Sequence, residues 1–221
     1  EPVPEPVAAR APAVAAPVEP VAVPMHPPRR RAAIDRARLR ELGMIVPGAA
    51  VTPLAEEFRL VKRQLLLTVR AVAGSDADHA RMILVTSARA NEGKTFCALN
   101  LALSMAAEQD WEILLVDADF AKPDVLDRLG IAEGPGLLDA LDGGVADVEQ
   151  CIIETDVPNL SILPAGARTS SDTELLASDK ARALLDTLAA NPRRIVLFDS
   201  PPVLAASPAS VLALQVGQVM L

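Results

Sequence analysis

Hydrophobic positions along the chain fall into two patterns. The first is the short unbroken apolar run: Met82–Val85, Ile113–Val116, Leu160–Leu163 and Ile195–Phe198. Such runs, bounded by polar turns, predict strands covered on both faces, as in a parallel sheet. A further strand is expected over 216–221. The second pattern is apolar residues recurring at helical spacing. Leu54, Phe58, Val61, Leu65 and Val69 predict a helix from Pro53 to about Val72, closed by Gly74-Ser75. Thr52 is its N-cap, Pro53 takes the first position, and Glu56 and Glu57 fill the first turn. Glu56, Arg59, Lys62 and Arg63 lie off the apolar stripe and read as a charged face. Phe96–Ala107 and Asp172–Ala189 predict two more helices, the second with Leu175, Leu176, Leu184, Leu185 and Leu188 inward. Shorter helices are expected over Val125–Leu129, Leu137–Leu141 and Pro208–Leu214. Strands alternating with helices predict an α/β fold, a doubly wound, mostly parallel sheet with helices on both faces.

The N-terminal part breaks this pattern. Residues 1–28 hold nine of the 19 prolines, set among Ala, Val and Glu. Few backbone donors and no large side chains predict an extended, disordered segment, with His26 solvent-exposed in it. Arg29-Arg30-Arg31 then opens a basic stretch through Arg36, Arg38 and Arg40. It reads either as a contact for acidic lipid headgroups or an acidic partner, or as a solvated amphipathic helix over Ala32–Leu42, the reading adopted. Gly43 and Pro47-Gly48 are breaks. The expected division is therefore 1–50 as a disordered Pro/Ala-rich and basic linker and 51–221 as the folded domain. The chain starts at Glu1 rather than Met and stops inside an expected strand, so it reads as a fragment.

Composition narrows the class. Hydrophobic residues make up 51% but aromatics only 2%, so the core is aliphatic. A net charge of −8 argues against a nucleic-acid-binding surface. Cys97 and Cys151 lie far apart without metal or CxxC spacing, and read as buried small hydrophobes in a reducing compartment. No apolar run reaches the ~18 residues of a membrane span, and 1–28 lacks a signal-peptide plan. The expectation is a cytoplasmic protein with room for a membrane-bound partner.

The chemistry sits where three of the strands end. Met82–Val85 leads through Ser87-Ala-Arg-Ala-Asn-Glu-Gly-Lys-Thr95 into a helix. Strand, loop, Gly-Lys-Thr, helix is the setting of a phosphate-binding loop. A helix N-terminus offers unpaired N–H groups and a positive dipole end. Lys94 adds a charge for the β- and γ-phosphates, and the Thr95 hydroxyl can ligate Mg²⁺. The first glycine of the usual G-x-x-x-x-G-K-[ST] pattern is Ala88 here. Ala90, Asn91, Glu92, Gly93, Lys94, Thr95 and Phe96 are the expected nucleotide-binding residues. Ile113–Val116 ends in Asp117-Ala-Asp119, which reads as Mg²⁺-water ligands and base, or as a capping pair for the next turn; position favours the first. Ile195–Phe198 ends in Asp199, an acid placed to hold Mg²⁺ in the manner of a Walker B residue. Pro201-Pro202 stiffens the following turn.

Together the three segments resemble the bacterial tyrosine autokinases (BY-kinases) of exopolysaccharide loci, with Walker A, Walker A′ and Walker B motifs on a MinD/ParA-like P-loop NTPase fold. The narrower likeness is to the exosortase (PEP-CTERM) locus type. Gly134-Pro-Gly-Leu-Leu138 and Thr173-Glu-Leu-Leu-Ala177 add to the resemblance, which runs from about Leu54 onward. It implies ATP and Mg²⁺ as cofactors and transfer of the γ-phosphoryl group to tyrosine. It implies catalytic roles for Lys94, Asp117 and Asp119, with Asp117 activating the hydroxyl, and metal contacts from Thr95, Asp117 and Asp199. It further implies a ring of copies assembled through helix 53–72, with Glu56, Arg59 and Lys62 on an E-x-x-R-x-x-R motif whose last position is Lys. The implied partner is a membrane-bound polysaccharide chain-length or co-polymerase protein, placing the chain at the inner face of the plasma membrane. The family's tyrosine cluster is missing, since the sequence contains no Tyr. A MinD/ParA-type ATPase switch and a non-catalytic nucleotide-binding regulatory subunit are the alternatives.

Overall fold

A computed structural model describes residues 29–72, 77–168, 172–204 and 207–221. The expectations for 1–28 and for the Gly74-Ser75 helix stop lie outside the described residues. The strands are β1 (Arg30–Ala32), β2 (Met82–Val85), β3 (Glu112–Asp117), β4 (Ile153–Thr155), β5 (Leu160–Leu163), β6 (Arg194–Asp199) and β7 (Gln218–Met220). They form one seven-stranded sheet in the order β1-β4-β5-β3-β6-β2-β7. Neighbours are parallel except β4 and β5, which run antiparallel. The doubly wound, mostly parallel sheet expected from the sequence is therefore the fold.

Alternation along each strand builds two cores. Ile83, Val85, Ile113, Leu115, Ile195 and Leu197 face one layer of helices. Met82, Leu84, Leu114, Val116, Val196 and Phe198 face the other. Both sets are fully buried, which is why these strands read as unbroken apolar runs. The helices are α1 (Arg36–Glu41), α2 (Pro53–Ala71), α3 (Ala77–Ala80), α4 (Lys94–Met105), α5 (Val125–Leu129), α6 (Leu137–Asp142), α7 (Asp172–Leu176), α8 (Asp179–Ala189) and α9 (Ser207–Ala213). The tight approach of α6 to the sheet needs Gly136, because a Cβ there would lie 2.2 Å from the Pro164 carbonyl oxygen.

Four expectations are corrected. First, residues 30–50 are not a linker. Arg30–Ala32 extends the sheet beside β4, and Leu39 and Ile34 are core residues. The helix expected over 32–42 starts only at Arg36, where Asp35 caps it by accepting from the Ala37 and Arg38 amides. The basic stretch is neutralised inside the domain: Arg29 pairs with Glu149, Arg31 with Glu154, Arg36 with Asp156 and Arg38 with Asp127. Second, the helix over 172–189 is two helices. Ser178 interrupts it, its hydroxyl accepting from the Ala181 amide to cap α8. Third, the buried side of α2 is Phe58, Lys62, Leu66 and Val69. Val61 faces solvent, and Lys62 reaches inward to Glu108 at 2.7 Å and the Ser104 carbonyl at 2.9 Å. Fourth, Cys97 is half-buried rather than buried.

Candidate active site

The register of the sheet gathers the sequence-derived residues. Asp117 of β3 and Val85 of β2 both lie opposite Asp199 of β6. The phosphate loop therefore leaves β2 beside the two strand-ending acids. Its backbone is held in a left-handed turn at Asn91 (φ 65°) and again at Gly93 (φ 95°). Asn and Gly tolerate that region best. Gly93 starts α4 with no side-chain cap, so no side chain takes up the first-turn amides at this end of the cleft lining. Segment 200–204 braces the loop from behind: the Val203 amide donates to the Ser87 carbonyl at 2.9 Å, and the Thr86 hydroxyl to the Pro201 carbonyl at 2.9 Å.

A cleft of about 450 Å³ opens above this edge, lined by Ala90, Asn91, Gly93, Lys94, Thr95 and Phe96. Asp119, Lys122, Asp124, Arg128, Pro201 and Pro202 complete the lining. Lys94 reaches across it to Asp119 at 2.6 Å. Glu92 does not line the cleft. Its carboxylate accepts from the Arg89 amide at 2.8 Å and so closes the loop on itself. Asp117 also stands back from the cleft and is only 1% exposed. One of its oxygens accepts from the Asp119 amide, the other from the Asp124 and Val125 amides at 3.1 Å. It thus caps α5, the alternative the sequence had ranked second.

Asp199 is different. It is completely buried, and neither carboxylate oxygen has a hydrogen-bond partner among the described residues. Burial drives its carboxyl up to about 7; the Thr95 hydroxyl and the Lys94 charge act against the rise but neither is seated on it in hydrogen-bonding geometry. Burial, then the neighbouring Asp199 charge, raises Asp117 to about 7 as well. An unpaired buried carboxylate is costly unless a cation or a proton compensates it. Beside it lie a cationic lysine, a buried hydroxyl and an uncapped helix start. These residues fit a magnesium–nucleotide. Among the described residues no three His, Cys, Asp or Glu side chains form a metal cage. Mg²⁺ takes one or two protein oxygens and completes its shell from phosphates and water. Sequence reasoning missed Arg128 and Asp124 of the cleft wall, which carry no motif and enter only through the turn that α5 makes over the strand ends.

Residues 80–216 match the AAA domain model (AAA_31). The solved VpsO kinase domain superposes with a TM-score of 0.59 at 35% identity, covering 76% of this chain and 82% of that domain. The chain belongs to the AAA domain family of P-loop NTPases, in its bacterial tyrosine-protein kinase branch. EpsB of Ralstonia nicotianae is 34% identical over 140 residues, 63% of this chain and 18% of EpsB. The tyrosine-protein kinase Wzc of Salmonella typhi is 29% identical over 140 residues, 63% of this chain and 19% of Wzc. The chain thus spans under a fifth of the length of these curated relatives. The septum site-determining protein MinD of Pyrococcus horikoshii is a more distant neighbour, with a TM-score of 0.53 at 25% identity and coverage of 63% of this chain and 56% of MinD. Among the described residues no helix is long and apolar enough to cross a membrane.

Proposed function

We propose that this family member is the catalytic domain of an ATP-dependent protein-tyrosine kinase acting in exopolysaccharide synthesis or export. The observation that carries the reading is Asp199, a buried carboxylate with no protein donor, next to Thr95 and beneath an uncapped helix start. Magnesium-bound ATP supplies the phosphoryl group. Gly93, Lys94, Thr95 and Phe96 at the start of α4 hold its phosphates, with Ala90 and Asn91 shaping the loop. Thr95 and Asp199 hold the metal, whose charge also offsets the repulsion between Asp199 and Asp117 on the adjoining strand. Lys94 leaves Asp119 for the phosphates. Asp119 supports metal or water from the cleft wall. Asp117, whose carboxyl titrates near 7 through burial and the Asp199 charge, is assigned the proton from the attacking hydroxyl. Catalysis is positioning and charge neutralisation rather than covalent chemistry.

The acceptor tyrosine is not among these 221 residues. It is supplied by another segment or another chain. The α2 helix offers a surface for a second copy: Leu60, Val61 and Leu67 are exposed beside Arg59 and Arg63. Lys62, turned inward, drops out of the expected charged motif. The proposed partner is a membrane-bound polysaccharide chain-length or co-polymerase protein, which would hold the domain at the inner membrane face.

The test is phosphate transfer from labelled ATP to a tyrosine-containing polymer by the full chain. Lys94→Met is expected to lower transfer roughly 100-fold or more, and Asp199→Asn to do the same while raising the magnesium requirement. Transfer by Lys94→Met at the wild-type rate sinks the site. A second reading, a nucleotide-binding subunit without transfer, is favoured by the engagement of both Asp117 oxygens with backbone amides. ATP binding without any phosphotyrosine would select it.

A further inference from the structure

We propose that Arg128 is the guanidinium that contacts the terminal phosphate of the bound nucleoside triphosphate, positioned for it by Asp124 and Asp117. The inference rests on the kinase reading of the site. Arg128 lies on α5 and lines the cleft together with Lys94, Thr95 and the phosphate loop. Its Nε donates to Asp124 at 2.6 Å, one turn back along the helix. Its two Nη groups make no hydrogen bond among the described residues. The guanidinium is therefore anchored on one edge, with the other edge unused. That is the arrangement in which a planar fork can bind a phosphate in two places.

The anchor is itself fixed. Asp124 precedes α5, and its amide donates to Asp117 at 3.1 Å. A chain of contacts thus runs from the acid at the end of β3, through the start of α5, to Arg128. The side chain is 29% exposed, so it is neither locked in the core nor free in solvent. Its charge also reaches the buried acid of β6, acting to lower Asp199. Lys122, which also lines the cleft, is a second cation, but it is exposed and its side chain makes no hydrogen bond or ion pair among the described residues. In phosphoryl transfer, negative charge gathers on the equatorial oxygens of the migrating group. A second cation in the cleft that holds Lys94 favours the triphosphate over the diphosphate and the transition state over both. Arg128 stays protonated throughout and takes no part in bond making.

The test is the dissociation constant of the full chain for ATP and for ADP, each with Mg²⁺, read by calorimetry alongside transfer. Arg128→Ala is expected to weaken ATP binding roughly 10- to 100-fold, the worth of a charge-assisted hydrogen bond, and to change ADP binding less than about 2-fold. Arg128→Lys keeps the pair with Asp124 and the helix, so it carries the test should the alanine variant fold poorly. It is expected to recover only part of the ATP preference, because an ammonium lacks the fork. Asp124→Asn, which frees the guanidinium, is expected to reduce the preference without abolishing it. Equal weakening of both nucleotides, or an unchanged ATP-to-ADP ratio, in both Arg128 variants overturns the inference while leaving the kinase reading intact. A wild-type chain that binds neither nucleotide overturns both.

Discussion

Asp199 and Asp117 share a buried edge, and each bears the cost of a charge that solvent does not reach. The folded chain therefore keeps protons on them up to about pH 7, whereas the unfolded chain releases them near the ordinary carboxylate value of 3.8. Between those values the folded state binds more protons than the unfolded one, so stability falls as pH rises. In chelator-containing buffer, wild type is expected to lose melting temperature relative to Asp199→Asn between pH 5 and pH 8. Parallel pH profiles for the two proteins would show that the acid carries no such penalty. Adding Mg²⁺ and ATP at pH 7.5 is expected to stabilise wild type much more than the variant. Asp199 was readable as an acid at the end of an apolar run. Its lack of a donor was not, because that depends on which amides the neighbouring turns spend elsewhere. Asp117 shows the complement: its partners are the amides seven and eight residues on, and only the fold of 118–125 brings them back. Glu92 likewise belongs to a loop-closing bond that the motif pattern does not encode.

At the scale of elements, α2 shows where spacing alone falls short. The apolar period placed Leu54, Phe58, Val61, Leu65 and Val69 inward, yet the buried side is Phe58, Lys62, Leu66 and Val69. A lysine can occupy a core-facing position when its stem packs and its ammonium is met, and Glu108 and the Ser104 carbonyl of the α4 side meet it here. Lys62→Met keeps the stem and removes the ammonium. It is expected to cost about 1–2 kcal/mol, allowing for the partial exposure of Glu108, whereas Arg63→Ala on the solvent face should stay within about 0.5 kcal/mol. Denaturant melts of the two variants decide it; equal midpoints would mean that Lys62 is as dispensable as its neighbour. The central strands and α4 were legible because burial on both faces writes itself as an unbroken apolar run. The α7–α8 break was not, since Ser178 is a polar residue inside a leucine-rich period and acts through its hydroxyl. β4 and β1 were not legible because each is only three residues long and places a single apolar side chain, Ile153 or Ala32, on the core among charged neighbours.

For the whole molecule, that last point moves the domain boundary. Glu149 is almost fully buried between Arg194, the first residue of β6, and Arg29, just ahead of β1. Burial alone would raise its carboxyl, but the two guanidiniums outweigh burial and hold it below the usual range. The Ile34 amide donates to Asp156 at 2.9 Å, and Arg36 pairs with the same carboxylate. Residues 29–36 therefore form the edge of the sheet beside β4 and tie it to the start of the strand that ends in Asp199. A basic run that read as a surface for lipid or a partner is bound instead to the domain's own acids. A chain begun at Pro28 retains all of these contacts; one begun at Arg36 loses β1, the Asp35 cap and one of the two charges on Glu149. Losing the core side chain of Ile34 costs about 2–5 kcal/mol and the Asp35 cap about 1 kcal/mol, and at this size each kcal/mol shifts the midpoint by about 2–4 °C. The shorter chain is therefore expected to melt roughly 10 °C below the longer one. It is also expected to associate at μM concentrations through the uncovered β4 edge. Magnesium–ATP binding should survive below that lowered midpoint, because the cleft lies on β2, β3 and β6 and none of its lining comes from residues 29–35. Coincident melts for the two chains would place residues 29–35 outside the cooperative unit and restore the boundary near residue 50.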